Sequence, residues 1–388
     1  MKFLVLNAGS SSLKFALYED ETEIINGKID RLFFDPILMI GKLNINDSIK
    51  INSYKEGLMK IIDTLIKNKV INNLNDINYI GHRVVHGKDI SKTSLIDENL
   101  LKKLEETIPL APLHNPPIIE TIKAAIEIFK VKNFAVFDTA FHQTIPKRFY
   151  KYPIPDENYY RRYGFHGISH KYVYSEAKKI LKKENLTAVT MHLGNGCSMA
   201  LIKDNKVIHT TMGFTPLEGL IMGTRSGSID PGIVLDLARK KGIDNADKIL
   251  NKQSGFLALT GFSDIREIRE RAKLNSSEDV IKLFYQYEFE DTEQDKARLA
   301  IAMFADRIIQ YATFYSALEN VDCYIFTAGI GENVWQIRKL VSLGLKINID
   351  DEKNMKNETI ISNDKRMLVI KTNEELQIVR EIKEFLNN

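Results

Sequence analysis

Two copies of one short pattern constrain this chain more than any other feature. The first is Leu6-Asn7-Ala8-Gly9-Ser10-Ser11-Ser12-Leu13-Lys14-Phe15-Ala16-Leu17. An apolar run (3–6) and an alternating segment (Leu13, Phe15, Leu17), separated by small residues, read as strand, turn and strand. Gly9 permits close backbone approach, and three serines with outward N–H groups suit an anion, with Lys14 adding charge. An ordinary hairpin with a serine-rich turn fits the same residues. The second copy, Leu193-Gly194-Asn195-Gly196-Cys197-Ser198-Met199-Ala200-Leu201-Ile202, repeats the arrangement. Each copy opens a β-rich stretch that turns helical, so an internal duplication is the economical reading. Two similar halves facing a central cleft would set two phosphate-cradling hairpins across it.

The bulk numbers agree with two domains. A chain of 388 residues exceeds one ordinary core. Fifty-four basic and 51 acidic residues give a net charge of +3 with no long block of one sign, which argues against nucleic-acid and membrane partners. Cys197 and Cys323 imply no disulfide framework and fit a reducing cytoplasm. No zinc spacing, signal peptide or transmembrane-length run is present.

In chain order, residues 1–45 read as a β-meander: strands at 3–6, 13–18, 23–29 and 37–43. Residues 55–67 carry helical spacing (Leu58, Ile61, Ile62, Leu65), 79–87 a strand ending in Gly87, 97–106 and 116–128 two helices, and 133–137 a strand delivering Asp138. The Tyr- and Pro-rich stretch 150–163 marks the boundary between domains at 1–150 and 151–372. A helix at 169–182 precedes a strand at 188–192. The glycine-rich loop 211–230 is long enough to be functional. Asp264-x-x-Glu267 is a capping-box candidate, and 297–318 is a long core helix with Ala300, Phe304, Ile308 and Tyr315 on one face. After a strand at 324–326 and another at 367–370, a final helix within 373–388 begins at a Thr372 cap. It carries Leu376, Val379, Ile382 and Leu386, a stripe that packs back on the first domain.

At several of these points the residues resemble the acetate kinases, within the sugar kinase, heat-shock protein and actin ATPase superfamily. The matching stretches are Asn7 to Lys14, His82-Arg83-Val84-Val85-His86-Gly87, Pro112-Leu113-His114-Asn115-Pro116, Phe137-Asp138-Thr139-Ala140-Phe141-His142 and Tyr163-Gly164-Phe165-His166-Gly167. They continue with His192-Leu193-Gly194-Asn195-Gly196, Gly223-Thr224-Arg225-Ser226-Gly227, Gly329-Ile330-Gly331-Glu332-Asn333 and Thr372-Asn373-Glu374-Glu375, in family order over nearly the whole chain. The resemblance implies an α/β fold of two duplicated ribonuclease H-like (actin-like ATPase) domains. It also implies a homodimer and reversible in-line transfer of the ATP γ-phosphate to acetate. Mg²⁺ would be required, with Mn²⁺ able to substitute, and the acetyl phosphate formed would serve acetyl-CoA formation.

By the same resemblance Arg83 and Arg225 hold the acyl phosphate, since a guanidinium grips carboxylates and phosphates bidentately. His166 stabilises the transferring phosphoryl group, and His114 supports it. Asp138 carries the family's acid/base label. An acetate acceptor has already lost its proton at pH 7, so Asp138 is expected instead to orient an arginine or a metal-bound water. Val85, Leu113, Phe165 and Pro216 receive the methyl, although ordinary core packing explains such residues too. Asn7 and Glu374 hold the metal; a helix-start acid is the plain alternative for Glu374. Lys14 and the run from His192 through Leu193, Gly194 and Asn195 to Gly196 hold the phosphates. Gly329, Ile330, Gly331, Glu332 and Asn333 approach the adenosine opposite Asp264, Ile265 and Arg266.

Three positions depart from the family pattern: Ser228 for an aspartate, Ile168 for a threonine and Lys88 for a glycine. A propionate or butyrate kinase is the nearest alternative. An ATP-driven conformational protein or a degenerate nucleotide binder is more remote, given the intact Asn7, Arg83, Asp138, His166, Arg225 and Glu374.

Overall fold

The computed structural model describes residues 1–111, 114–155 and 160–387. The chain divides into two compact units: Met1–Gln143 with Phe165–Ile168 and Asn373–Asn388, and Thr144–Gly164 with Ser169–Thr372.

The first unit is built on an eight-stranded sheet. Its strands are β1 (Lys2–Ala8), β2 (Ser12–Glu19), β3 (Thr22–Asp30), β4 (Ile37–Ile40), β5 (Ile45–Ser48), β6 (Tyr79–Val84), β7 (Ser94–Leu95) and β8 (Lys132–Phe137), in the order β5-β4-β3-β2-β1-β6-β8-β7. Strands β1 to β3 pair antiparallel; β6 lies parallel to β1, and β8 parallel to β6. β1 is buried on both faces, as a central strand must be. Phe3 and Val5 pack with Ile378, Val379 and Ile382 of the helix Glu374–Asn387. Leu4 and Leu6 join the core with Leu58 and Ile61 of the helix Tyr54–Lys67 and Ile122 of the helix Asn115–Ile128. Gly81 permits the first contact, because a Cβ there would lie 2.6 Å from Ile378 Cγ2.

The second unit repeats the central topology. Its strands β9 (Thr187–Leu193), β10 (Cys197–Lys203), β11 (Lys206–Thr210), β12 (Cys323–Thr327) and β13 (Met367–Val369) run in the order β11-β10-β9-β12-β13. Again three strands are antiparallel and two follow in parallel. The order β3-β2-β1-β6-β8 and the order β11-β10-β9-β12-β13 are one plan used twice, the duplication read from the hairpins. The helix Glu293–Leu318 buries Ala300, Phe304, Ile308 and Tyr315, as its spacing predicts. Among the described residues no helix is long and apolar enough to cross a membrane.

Several local expectations change. The strand at 37–43 stops at Ile40, where residues 41–43 form a 3-10 turn closed by Asn44 in the left-handed region (φ 53°). The last helix is capped by Asn373, whose side chain accepts from the Leu376 N–H (2.8 Å), so Thr372 lies one residue outside it. Asp264 caps its helix through the Arg266 N–H, but the reciprocal capping box lies at Ser276 and Asp279. The glycine run 329–333, which follows the strand, lies in the short helix Ala328–Asn333.

Candidate active site

Strand register gathers one cluster in the first unit. β1 and β6 pair Leu6 with His82, so Asn7 and Arg83 follow side by side at their C-terminal ends. β6 and β8 pair Val84 with Phe137, and the next residue, Asp138, donates its N–H to the Val84 carbonyl (2.9 Å). Ligand sites favour such strand ends. Arg83 Nε lies 3.2 Å from both Asp138 oxygens, its Nη2 2.7 Å from Oδ2, and its Nη1 2.6 Å from Glu374 Oε2. The side chains of Arg83, Asp138 and Glu374 are 16%, 2% and 12% exposed, so this network is largely removed from water. Burial opposes the Arg83 charge, yet the carboxylates of Asp138 and Glu374 outweigh it and raise the arginine pKa.

His166 sits beside this cluster in sequence-distant backbone that the same aspartate anchors. The Gly167 N–H donates to the Asp138 carbonyl (2.9 Å), and a Cβ on Gly167 would come within 2.3 Å of that oxygen. On the other side His142 Nε2 donates to the Phe165 carbonyl (2.9 Å). Between these anchors His166 takes φ +58°, a left-handed conformation costly for a residue with a Cβ and one that clusters at functional sites. Phe165 is buried edge-on against His86 (5.7 Å between centroids), and Val85 is half-buried against the core. His114 precedes the helix Asn115–Ile128, its N–H bonded to the Ala111 carbonyl. Leu113 lies outside the described residues.

The donor set beside Arg83 fits a hard divalent cation. Glu374 Oε1 is buried and has no hydrogen-bond partner, while its other oxygen is held by Arg83. With the Asn7 amide it offers oxygen donors only, and Mg²⁺ completes such a set with waters and phosphate oxygens. Among the described residues no three acidic, His or Cys side chains form a metal cluster by themselves. Lys14, exposed on β2, pairs in register with Asn7.

The second unit holds the other candidates. His192 to Gly196 form the β9–β10 turn, closed by the Gly194 N–H on the Gly196 carbonyl (3.1 Å), with Asn195 exposed at its tip. Ala328, at φ +63°, starts the glycine helix next to this turn: its Cβ is 3.5 Å from where a Gly194 Cβ would be. Glu332 reaches back to accept from the Ala328 N–H (2.8 Å). Ile265 is buried, while Asp264 grips the exposed Arg266 guanidinium.

Arg225 lies in the loop 211–230, which is ordered by its neighbours. Gly227 (φ +70°) and Gly255 (φ +64°) let backbone approach where a Cβ would fall 2.6 Å from the Leu220 carbonyl and 2.0 Å from the Met222 carbonyl. The Arg225 guanidinium meets the Pro216 carbonyl (3.3 Å) and the Met222 sulfur (3.7 Å). Burial lowers its pKa, and among the described residues no carboxylate pairs with it.

The departures have local accounts. Ser228 Oγ accepts from the Gly219 N–H (2.9 Å) and so ties the ends of the arginine loop together. Ile168 packs into the core with Phe3 and Val5. Lys88 holds φ +57°, a conformation glycine adopts without cost. Sequence reasoning missed the residues that brace the site: Thr139, whose hydroxyl accepts from the Gly87 N–H, His142, and a buried chain of hydroxyls behind His192. Thr139 and His142 lay inside a motif already singled out, but their braces join backbone distant in sequence.

Comparisons with known proteins follow the same lines. The sequence profile of the acetokinase family matches residues 2–380. The chain is 42% identical to a protein named acetate kinase from Carboxydothermus hydrogenoformans, covering the whole of both chains. It is also 42% identical to one so named from Thermotoga maritima, covering 100% of this chain and 99% of that one. Among solved structures, a propionate kinase from Francisella tularensis superposes with a TM-score of 0.88 at 39% identity, covering 98% of each chain. An acetate kinase from Porphyromonas gingivalis gives 0.86 at 33% identity, covering 99% of each.

Proposed function

The chain belongs to the acetokinase family, and on that premise we propose that it transfers the γ-phosphate of ATP reversibly to acetate, giving acetyl phosphate and ADP. Arg225 carries this reading: a half-buried guanidinium whose partners among the described residues are a carbonyl and a thioether keeps its charge for an anionic ligand. Phosphoryl transfer asks for positioning and charge neutralisation rather than covalent help. Arg225 and Arg83 hold the acyl phosphate, and His166, set in its strained conformation, donates to the transferring group. His114 supports them. The acceptor carboxylate arrives deprotonated, so no base is needed. Asp138 orients Arg83, which its three close contacts support.

The domain of residues 1–150 with 373–388 supplies Arg83, His114, Asp138 and the metal residues, and residues 151–372 supply His166, Arg225 and all the nucleotide residues except Lys14. His192 to Gly196 and Lys14 take the phosphates; Asp264 to Arg266 and Gly329 to Asn333 take the adenosine. Asn7 and Glu374 would hold Mg²⁺, which neutralises phosphate charge when bound. Val85, Leu113, Phe165 and Pro216 receive the methyl. Propionate is a second acceptor to consider, because one similar solved structure is titled a propionate kinase.

The protein acts as a homodimer in the cytoplasm in this reading. The helix Pro231–Lys241 buries none of its residues and leaves Ile233 and Leu235 more than half exposed, an apolar face suited to a second copy. Cys197 and Cys323 are free, buried thiols, as a reducing compartment keeps them.

The test is acyl-hydroxamate formation with ATP, Mg²⁺ and acetate, propionate, butyrate or glycerol, since hydroxylamine traps acyl phosphates only. Highest signal with acetate is expected. Highest signal with a longer acid would keep the chemistry and overturn the pocket. No signal from any acid would overturn the kinase reading.

A further inference from the structure

Ser169 is fully buried, and its single hydroxyl lies 2.8 Å from His192 Nδ1 and 2.8 Å from Thr372 Oγ1. Thr372 is itself held, because its N–H donates to Glu332 Oε1 (3.0 Å), the oxygen that also takes the Ala328 N–H. Protons can run along this row in two directions. If His192 Nδ1–H donated to Ser169 and Ser169 to Thr372, the proton of the half-buried threonine would have no acceptor among the described residues and would be left to solvent. If Thr372 donates to Ser169 and Ser169 to His192, every hydroxyl proton is used within the row, and Nδ1 becomes the acceptor. A neutral imidazole that accepts at Nδ1 carries its proton on Nε2. Nε2 is the atom on the turn: it lies 3.8 Å from where a Cβ on Gly194 would stand. His170 flanks the ring edge-on at 6.3 Å and is itself fixed by Thr190 (2.7 Å) and Ser198 (2.8 Å).

We propose that Ser169 is a positioning residue that locks His192 as its Nε2–H tautomer, so that the imidazole donates to a nucleotide phosphate oxygen at the glycine turn. This rests on the kinase reading above. The opposite tautomer would aim a lone pair at the phosphate and repel it. The Thr372 hydroxyl sets the direction of the row, and Glu332 anchors Thr372 by its backbone N–H, which ties the helix Ala328–Asn333 to the turn His192–Gly196 within one unit.

The full-length protein labelled with ¹⁵N-histidine tests this by NMR, with His192→Gln assigning the signal among eight histidines. Wild type should show a protonated Nε2 and a bare Nδ1. Ser169→Ala and Thr372→Val should mix the tautomers and raise the KM for ATP about tenfold, the worth of a hydrogen bond to a charged group. Their kcat should change less, and Thr372→Ser should behave as wild type. A protonated Nδ1 in wild type that binds ATP would overturn the relay alone. So would Ser169→Ala and Thr372→Val proteins with an unmixed signal and unchanged KM. Wild type that binds no ATP by calorimetry would overturn the kinase reading, and the phosphate role with it, whatever the tautomer.

Discussion

The two arginines expected to meet the acyl phosphate occupy opposite electrostatic settings. Arg83 is gripped by Asp138 and Glu374, and its charge is more than balanced by protein. Arg225 meets the Pro216 carbonyl and the Met222 thioether, and its charge is opposed by burial. The first is a folded-in ion network whose loss leaves buried carboxylates uncompensated. The second is a half-buried charge with no carboxylate among the described residues, which an anion would balance. One arginine is built into the framework; the other is left for the ligand.

Substitution separates them most sharply. Arg225→Ala should lower kcat by about 10³-fold, in the range for arginines on a transferring phosphate, while thermal stability holds or rises. Arg83→Ala should also abolish turnover but destabilise the fold by about 3–5 kcal/mol, the usual consequence of breaking a buried pair. Steady-state assays and denaturant unfolding on the same preparations decide it. Equal stability losses in the two variants would erase the distinction.

A smaller effect probes the carboxylates around Arg83. Glu374→Gln removes the charge at the orphan oxygen and should raise the Mg²⁺ needed for half-maximal rate by about 10–100-fold, the scale for perturbed metal sites. An unchanged Mg²⁺ curve would return Glu374 to the role of helix-start acid.

Acidity should weigh on the first unit. Burial pushes His82, His86 and His142 down to about 4, and in the second unit His209 down to about 3. The unfolded chain takes up protons near pH 6.5 that the folded chain refuses until much lower. Stability is therefore complete above about pH 6.5 and falls as pH drops toward about 4. Urea midpoints measured at stepped pH should show this slope. His82→Gln, which keeps a donor toward Asn133, should flatten it. The smallest change expected is in acyl choice: Val85→Ala should shift kcat/KM toward propionate by on the order of tenfold, as one methylene is worth in an apolar pocket.

The doubled hairpin, the central β1 and the long core helix were legible in sequence because their periodicity reflects burial along contiguous residues. So was the spread of chemistry-bearing motifs, because each is local. The caps were less legible: Thr372 and Asn373 are both good cap residues, and only the helix start chose between them. The helix at 328–333 was not legible, because glycine lowers helix propensity, yet Glu332 folds back on the Ala328 N–H and holds a turn of helix.

By itself, then, the sequence determined two similar α/β halves, an acetokinase pattern over residues 2–380 and the residue types the chemistry needs. Only the tertiary structure decided how those residues are used. Parallel register set Arg83 beside Asn7 and brought Asp138 to the same strand ends. Packing of the last helix on β1 and β6 carried Glu374 to Arg83, across 291 residues of chain. Backbone anchors on either side forced His166 to positive φ. Such pairings depend on contacts between distant segments, and local propensity holds no information about them.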